Sequence, residues 1–242
     1  MTKLINSYLW RLFRNKSLYV GLAAAFIITL AGAGTESSSE QAFLMIKVFG
    51  VGIIAFTSVF VPLFLGREYS DKTIRNKFVC GYTRPQVYFA SCIAVTAVVV
   101  LMTAAWLTGA VLAMQVTGGD TGQITAHIGE ILLFCIAHSA FVTFFSMLIP
   151  YPAICVAIQI MIFQIGSFVA PVMLSISHNT GGELGKALIY AANAFPLGQW
   201  FSSIGLTEGL GGMGAYRAIA SVAVITVFTL SGCLMFRKKN IR

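Results

Sequence analysis

The sequence predicts an all-α integral membrane protein with six transmembrane helices. Of its 242 residues, 57% are hydrophobic and only 10% are charged, whereas soluble domains carry about 25% charged residues. Six apolar stretches each approach or exceed the roughly 20 residues that a helix needs to cross a bilayer. Lys and Arg cluster in alternate connections between these stretches. The chain length leaves room for a single transmembrane domain over residues 1–242.

The six apolar stretches are the predicted spans, numbered one to six along the chain. Only Pro150-Tyr151-Pro152 separates spans four and five, which predicts a tight turn there because proline ends a helix. The predicted spans are about Ser17–Ala33, Val48–Leu65, Val87–Met114, Ile128–Ile149, Pro152–Ser175 and Ala218–Phe236.

The positive charges predict the orientation of these spans. Short cytoplasmic connections carry an excess of Lys and Arg. Four basic residues precede span one, five lie between spans two and three, and four follow span six, so one side receives 13 of the 16. The other side receives six of the eight acidic residues. Both termini and the connection at 66–86 are therefore predicted to be cytoplasmic, and the net charge of +8 reflects topology rather than nucleic-acid binding.

Residues 1–16 are predicted to form an amphipathic helix in the membrane interface. Its polar face carries Lys3, Ser7, Arg11 and Arg14. An alternative interpretation is a signal peptide, because a basic segment and an apolar run precede Ala31-Gly32-Ala33. The long basic segment favours a retained first span. The apolar face is predicted to contain Ile5, Tyr8, Leu9, Leu12 and Phe13.

The connection at 66–86 is predicted to contain a short capped helix that serves as a docking element. Ser70 is a suitable N-cap for it, and Gly81 provides a C-terminal stop. Thr83 and Pro85 then begin the next helix. Ile74 and Phe78 give the short helix one small apolar face, beside a basic edge of Lys72, Arg75 and Lys77.

The segment 176–217 is predicted to lie outside the cell as a broken helical hairpin. Leu184–Ala194 and Leu197–Leu206 each read as an apolar helix too short to span the bilayer, with a break at Phe195-Pro196. The pattern fits a re-entrant hairpin and equally fits two helices lying on the outer surface.

The sequence offers no catalytic, metal or cofactor site. The five cysteines are scattered without a CxxC pattern. Thr180–Ala187 is the nearest approach to a phosphate-binding loop, but it lacks the leading glycine and ends in alanine. His138 is the only titratable residue well inside a span, and its expected role is a hydrogen bond between helices. Gln159 and Gln164 are expected to form such bonds or to line a polar cavity.

Between spans two and three, the chain reads Gly66-Arg67-Glu68-Tyr69, then Thr73-Ile74-Arg75-Asn76-Lys77, followed by Gly81 and Arg84. This stretch resembles the signature RE(Y/F)…GT(I/L)R(N/D)K…G…R of ABC-2 type transporter permease subunits. The resemblance is to small bacterial members, similar to bacitracin-export and lantibiotic-immunity permeases. Lys72 stands where the family often has glycine, a difference expected to cost little because lysine is the better helix former.

The resemblance implies a permease of the bacterial plasma membrane that works with cytoplasmic ATPase subunits encoded as separate chains. ATP and magnesium would bind to that partner, so this chain is expected to be a transport subunit and not an enzyme. Residues 1–16 would be the elbow helix and 66–86 the coupling segment. The residues expected to couple to the ATPase are Arg67, Glu68, Thr73, Ile74, Arg75, Lys77 and Phe78.

The resemblance also implies a dimer with a second copy or a homologous permease, in contact through spans one and five. Gly21 and Ala25 in span one, with Gly166 and Ala170 in span five, are small enough to permit close helix approach. The expected cargo is an amphipathic or hydrophobic compound such as a peptide antibiotic, a drug or a lipid. An ion- or proton-coupled secondary transporter is the alternative, and it would need charges at mid-membrane. The direction of transport is open.

Overall fold

The computed structural model describes residues 1–125, 128–203 and 214–239. These residues form eleven helices and no strand. In chain order they are α1 Thr2–Phe13, α2 Lys16–Gly34, α3 Ser39–Ser70, α4 Thr73–Val79, α5 Arg84–Val116, α6 Gly122–Thr125, α7 Ile128–Leu148, α8 Pro152–Thr180, α9 Gly182–Asn193, α10 Pro196–Ser203 and α11 Gly214–Lys238.

Six of these helices are long and apolar enough to cross a membrane: α2, α3, α5, α7, α8 and α11. They match the six predicted spans, so the prediction of an all-helical protein with six candidate spans is confirmed. Helices α3 and α5 extend beyond their predicted spans at both ends, to 32 and 33 residues. Residues 149–151 connect α7 to α8, as the proline pair predicts.

The six long helices divide into an inner and an outer set. Within their most apolar stretches, 56% of the residues are buried in α3, α5 and α7, against 17–22% in α2, α8 and α11. In the outer set, large side chains such as Phe168 and Ile27 are more than half exposed. A multi-pass membrane protein explains this arrangement, because lipid tails can cover apolar side chains that water cannot.

Helix α1 buries Leu4, Tyr8 and Leu12 against the bundle. The predicted apolar face is therefore correct for Tyr8 and Leu12 but shifted at its edges. Phe13 is 48% exposed and Leu4 is buried instead.

The start of α4 differs from the prediction. Helix α3 continues through Ser70, so Ser70 is not an N-cap. Lys72 precedes α4 in the left-handed conformation, with φ of 54°. The expectation that lysine costs little here was wrong, because a left-handed residue carries a steric penalty that glycine avoids.

The end of α4 follows the prediction. The Gly81 N–H donates to the Phe78 carbonyl at 3.0 Å and the Tyr82 N–H donates to the Lys77 carbonyl at 3.1 Å. With φ of 87° at Gly81, this is a Schellman motif, which satisfies the last carbonyls of the helix. The next helix begins with Pro85 in its first turn.

Two short helices, α9 and α10, lie where the sequence predicts a broken hairpin, and Ala194-Phe195 separates them. The predicted residues 204–206 lie outside the described range, and a re-entrant or surface-lying placement of the pair stays a prediction. Trp200 of α10 is only 4% exposed and anchors α10 in the bundle. Its indole N–H donates to the Lys47 carbonyl of α3 at 3.1 Å, and its ring packs edge-on against Trp106. Gly50 makes room for this ring, because a Cβ there would collide with it.

Candidate functional site

A buried carboxylate connects three helices at one end of the bundle, which we call the α1 end. Glu68, near the end of α3, is 1% exposed. Its Oε2 accepts from the Tyr8 hydroxyl at 2.8 Å. Its Oε1 accepts from the Arg11 guanidinium and from the Lys77 ammonium, the latter at 2.5 Å. We call Glu68, Tyr8, Arg11 and Lys77 the Glu68 cluster.

Tyr8 and Lys77 of the Glu68 cluster both keep their protons at neutral pH. Burial, followed by the negative charge of Glu68, raises the pKa of Tyr8, so the phenol remains a hydrogen-bond donor. Burial lowers the pKa of Lys77 to about 8, although Glu68 opposes this shift by favouring the ammonium. The Lys77 ammonium also lies 3.5 Å from the centre of the Tyr8 ring, a cation–π contact. At neutral pH the cluster therefore holds one anion against two cations.

The structure divides the predicted coupling residues of α4 between its two faces. Ile74 is 1% exposed and Phe78 is half-buried against the core, so the apolar face packs within this chain. Thr73 donates weakly to the Glu68 carbonyl, at 3.4 Å. Arg75 is exposed, and the neighbouring outer positions are Asn76 and Val79, the latter 87% exposed.

Arg67 lies apart from α4. Its side chain is exposed and lines a groove between α1 and α3. Three further cations line the same groove, Arg11, Arg14 and Lys16. Arg67 thus belongs to a basic surface beside the Glu68 cluster.

A second set of contacts holds the end of α11 at the same end of the bundle. The Lys239 ammonium donates to the Tyr69 hydroxyl at 2.9 Å and to the Met147 carbonyl at 3.1 Å. Tyr69 donates to the same carbonyl. Arg84 at the start of α5 donates to the Arg237 carbonyl at 2.6 Å. The ends of α3, α5, α7 and α11 are therefore connected around this site.

The four small residues expected at a dimer interface lie against this chain's own side chains or beside its cavities. A Cβ on Gly21 would collide with the Phe56 ring, and one on Gly166 would lie 2.8 Å from Leu197. Ala170 is 7% exposed. Ala25 lines a cavity between α2, α3 and α8. The small residues therefore permit packing within the chain, and the dimer interface stays a prediction.

Described residues line two cavities within the bundle. The larger, about 540 Å³, is lined almost entirely by apolar side chains of α2, α3 and α8; we call it the apolar cavity. The smaller, about 260 Å³, lies between α3, α7, α8 and the start of α10. Ser58, His138 and Gln159 line it among apolar residues, and we call it the polar cavity.

His138 and Gln159 form the expected hydrogen bonds between helices. His138 Nε2 lies 3.0 Å from the Thr57 hydroxyl of α3. Gln159 Nε2 donates to the Val142 carbonyl at 3.2 Å and to the Ser146 hydroxyl at 3.1 Å. Gln164, by contrast, is exposed. Both expected roles of Gln159 are thus realised, since it bridges α8 to α7 and lines the polar cavity.

No protein-family model matches the sequence, and no curated protein matches it either. Residues 1–125, 128–203 and 214–239 contain no cluster of His, Cys, Asp and Glu that could hold a metal ion.

Sequence reasoning selected Glu68 and Lys77 but missed their partners Tyr8 and Arg11. It also missed the separate contact between Tyr69 and Lys239. A chemical argument could have predicted that Glu68 has such partners. A carboxylate at the end of an apolar helix, surrounded in sequence by cations, needs compensating donors when it is buried.

Proposed function

We propose that this chain is the membrane permease subunit of an ABC-2 type exporter in the bacterial plasma membrane. In this proposal both termini are cytoplasmic, and separate ATPase subunits bind ATP and magnesium. The cargo is an amphipathic or hydrophobic compound. The resemblance of the stretch from Gly66 to Arg84 supports the family, and the six long apolar helices are consistent with it.

The Glu68 cluster is the observation that carries the proposal. In the proposed mechanism, α1 is the elbow helix, α4 is the coupling helix and the α1 end faces the cytoplasm. Glu68 joins both helices to the end of α3 through Tyr8, Arg11 and Lys77. A displacement of α4 would therefore also move α1 and α3, because charged hydrogen bonds to a buried carboxylate resist separation.

The ATPase would bind the outer face of α4. Arg75, Asn76 and Val79 are the exposed positions of this helix. The exposed valine provides apolar contact and the arginine provides charge. Ile74 and Phe78 support this surface from within.

The dimer of the proposal would form through the exposed apolar faces of α2 and α8, which correspond to spans one and five. These faces carry Ile27 on α2 and Ile165, Phe168 and Val172 on α8, all more than half exposed. A second copy or a homologous permease would cover them.

The test is reconstitution of the full chain, with the ATPase that co-purifies from native membranes, in liposomes. We expect ATP hydrolysis that depends on this chain. Arg75→Glu and Val79→Asp should each abolish most of the stimulation, because they change only the outer face of α4. Lys186→Glu is the matched control, since Lys186 is an exposed cation far along the chain in α9. Full stimulation by both α4 variants, or transport driven by an ion gradient without ATP, would overturn the proposal.

A further inference from the structure

Polar side chains line the polar cavity, and one of them has an oxygen atom without a hydrogen-bond donor. Gln159 is 2% exposed, and its Oε1 is buried with no hydrogen-bond partner. The amide orientation is fixed because its nitrogen donates to the Val142 carbonyl, which can only accept. An unsatisfied buried acceptor costs about 1–3 kcal/mol, so a ligand that supplies a donor would recover this energy.

His138 adds an imidazole to the same wall. The Thr57 hydroxyl lies 2.7 Å from the Ile53 carbonyl, 3.1 Å from the Ile54 carbonyl and 3.0 Å from His138 Nε2. When the hydroxyl donates to a carbonyl of its own helix, Nε2 carries the imidazole proton and Nδ1 is left as an acceptor.

Ser58 adds a hydroxyl and a carbonyl to the same region. Ser58 is 3% exposed and lines the cavity. Pro62 lies four residues further along α3. Because proline has no N–H, the Ser58 carbonyl loses its helical hydrogen-bond donor.

The remaining wall is apolar and reaches the surface. Phe141 and Phe163 line the interior, whereas Ile165 and Val169 line the cavity and are also about half exposed on α8. Apolar molecules dissolved in the lipid could enter through this side. The volume of about 260 Å³ is just below the range of typical small-molecule sites, so it suits a head group with a few carbons.

We propose that the polar cavity binds an amphiphile whose neutral head group donates hydrogen bonds, such as a primary amide. The amide N–H groups would face Gln159, His138 and Ser58, and the alkyl chain would leave between the exposed residues of α8. The assignment of this ligand as cargo rests on the proposed export function. The binding itself does not.

The test uses the full chain alone in lipid nanodiscs with two photoreactive probes. One is a fatty primary amide with a diazirine on its chain, and the other is the matching N,N-dimethyl amide, which has the same carbonyl but no donor. Mass spectrometry locates the labelled residues. We expect the primary amide to label cavity residues about threefold to tenfold more than the dimethyl amide, the value of one or two hydrogen bonds.

Ser58→Ala and Gln159→Met should reduce this preference towards one. The preference is the ratio of labelling by the two probes on one preparation. Partial misfolding of a variant therefore lowers the labelling by both probes together and leaves the ratio unchanged. Ser167→Ala is the matched control, because Ser167 lines the apolar cavity and donates to its own helix. Equal labelling by the two probes in the parent protein would overturn the inference, as would a preference that both variants retain. A cavity that prefers the amide in a chain that stimulates no ATPase would refute the export function alone.

Discussion

Glu68 is buried more completely than either of the cations that neutralise it. Its side chain is 1% exposed, against 28% for Arg11 and 13% for Lys77. A buried carboxylate needs such partners, and removing its charge leaves two half-buried cations facing a neutral group. The connection between α1, α3 and α4 therefore depends on this one residue.

Glu68→Gln should loosen α1 and α4 without unfolding the long helices. The change weakens three hydrogen bonds, for an expected loss of about 1–3 kcal/mol. Hydrogen–deuterium exchange in peptides from α1 and α4 should become faster by on the order of tenfold. Glu183→Gln is the control, because the exposed pair of Glu183 with Lys186 contributes little. Unchanged exchange in both helices would show that the cluster does not connect them.

Lys77 provides a pH-dependent measurement of the same cluster. Its pKa is lowered by burial to about 8, and Glu68 raises it against that effect. NMR of ¹³C-labelled lysine should show a group that titrates near pH 8 and disappears in Lys77→Arg. In Glu68→Gln the Lys77 pKa should fall further, because the opposing charge is gone.

Lys239 is the internal control for this titration, since burial alone lowers its pKa to about 8, and Glu68→Gln should not move it. The sign for stability follows from the direction of the Lys77 shift. Between pH 8 and 10.5 the folded state binds fewer protons than the unfolded state, so the contribution of Lys77 to stability rises with pH in that window. A Lys77 pKa that stays constant in Glu68→Gln would contradict the observed ion pair.

At the scale of the element, the backbone conformation of α4 is favourable at its C-terminus and unfavourable at its N-terminus. The Schellman motif at Gly81 stabilises its C-terminus. At its N-terminus, Lys72 adopts a left-handed conformation that favours glycine. With seven residues, α4 is too short to be stable on its own, so the conformation at each end affects its stability.

Lys72→Gly should stabilise α4 by about 1 kcal/mol, because glycine removes the contact between Cβ and the following carbonyl. Slower amide exchange across α4 is the expected measurement. Lys72→Ala is the control, since it removes the charge but keeps the Cβ, and it should give no comparable gain. Equal stabilisation by alanine and glycine would attribute the effect to charge.

At the scale of the whole molecule, the distribution of positive charge predicts which side of the membrane each end faces. Cys80 is exposed just after α4, so the native chain carries its own reporter. An impermeant maleimide should label Cys80 in inverted vesicles and not in intact cells. In a Cys80→Ser background, Ser38→Cys and Glu183→Cys should show the opposite pattern. Labelling of Cys80 from outside intact cells would reverse the proposed orientation.

The outer set of helices allows a test of the dimer that avoids the internally packed glycines. In the Cys80→Ser background, Phe168→Cys on α8 should form cross-linked pairs in native membranes. Val227→Cys on α11, also more than half exposed, is the control and should not. Cross-linking at 227 instead would place the interface on α11.

The sequence by itself determined the number of long helices and their approximate bounds. A helix in lipid must satisfy its own backbone and cover about 30 Å with apolar side chains, and both requirements are local. The backbone preferences of glycine and proline are also local. They explain the end of α4 at Gly81, the turn between spans four and five, and the break between α9 and α10.

The tertiary structure decided which side chains meet. Tyr8 and Glu68 are 60 residues apart in sequence, and Trp200 contacts the Lys47 carbonyl 153 residues away. No local pattern encodes such pairs. The small residues Gly21 and Gly166 indicated that other groups pack closely against them. Only the packed bundle shows that these groups are the side chains of Phe56 and Leu197. The unpaired acceptor of Gln159 arises from the same cause, since only the arrangement of α7 against α8 fixes which end of the amide is left without a partner.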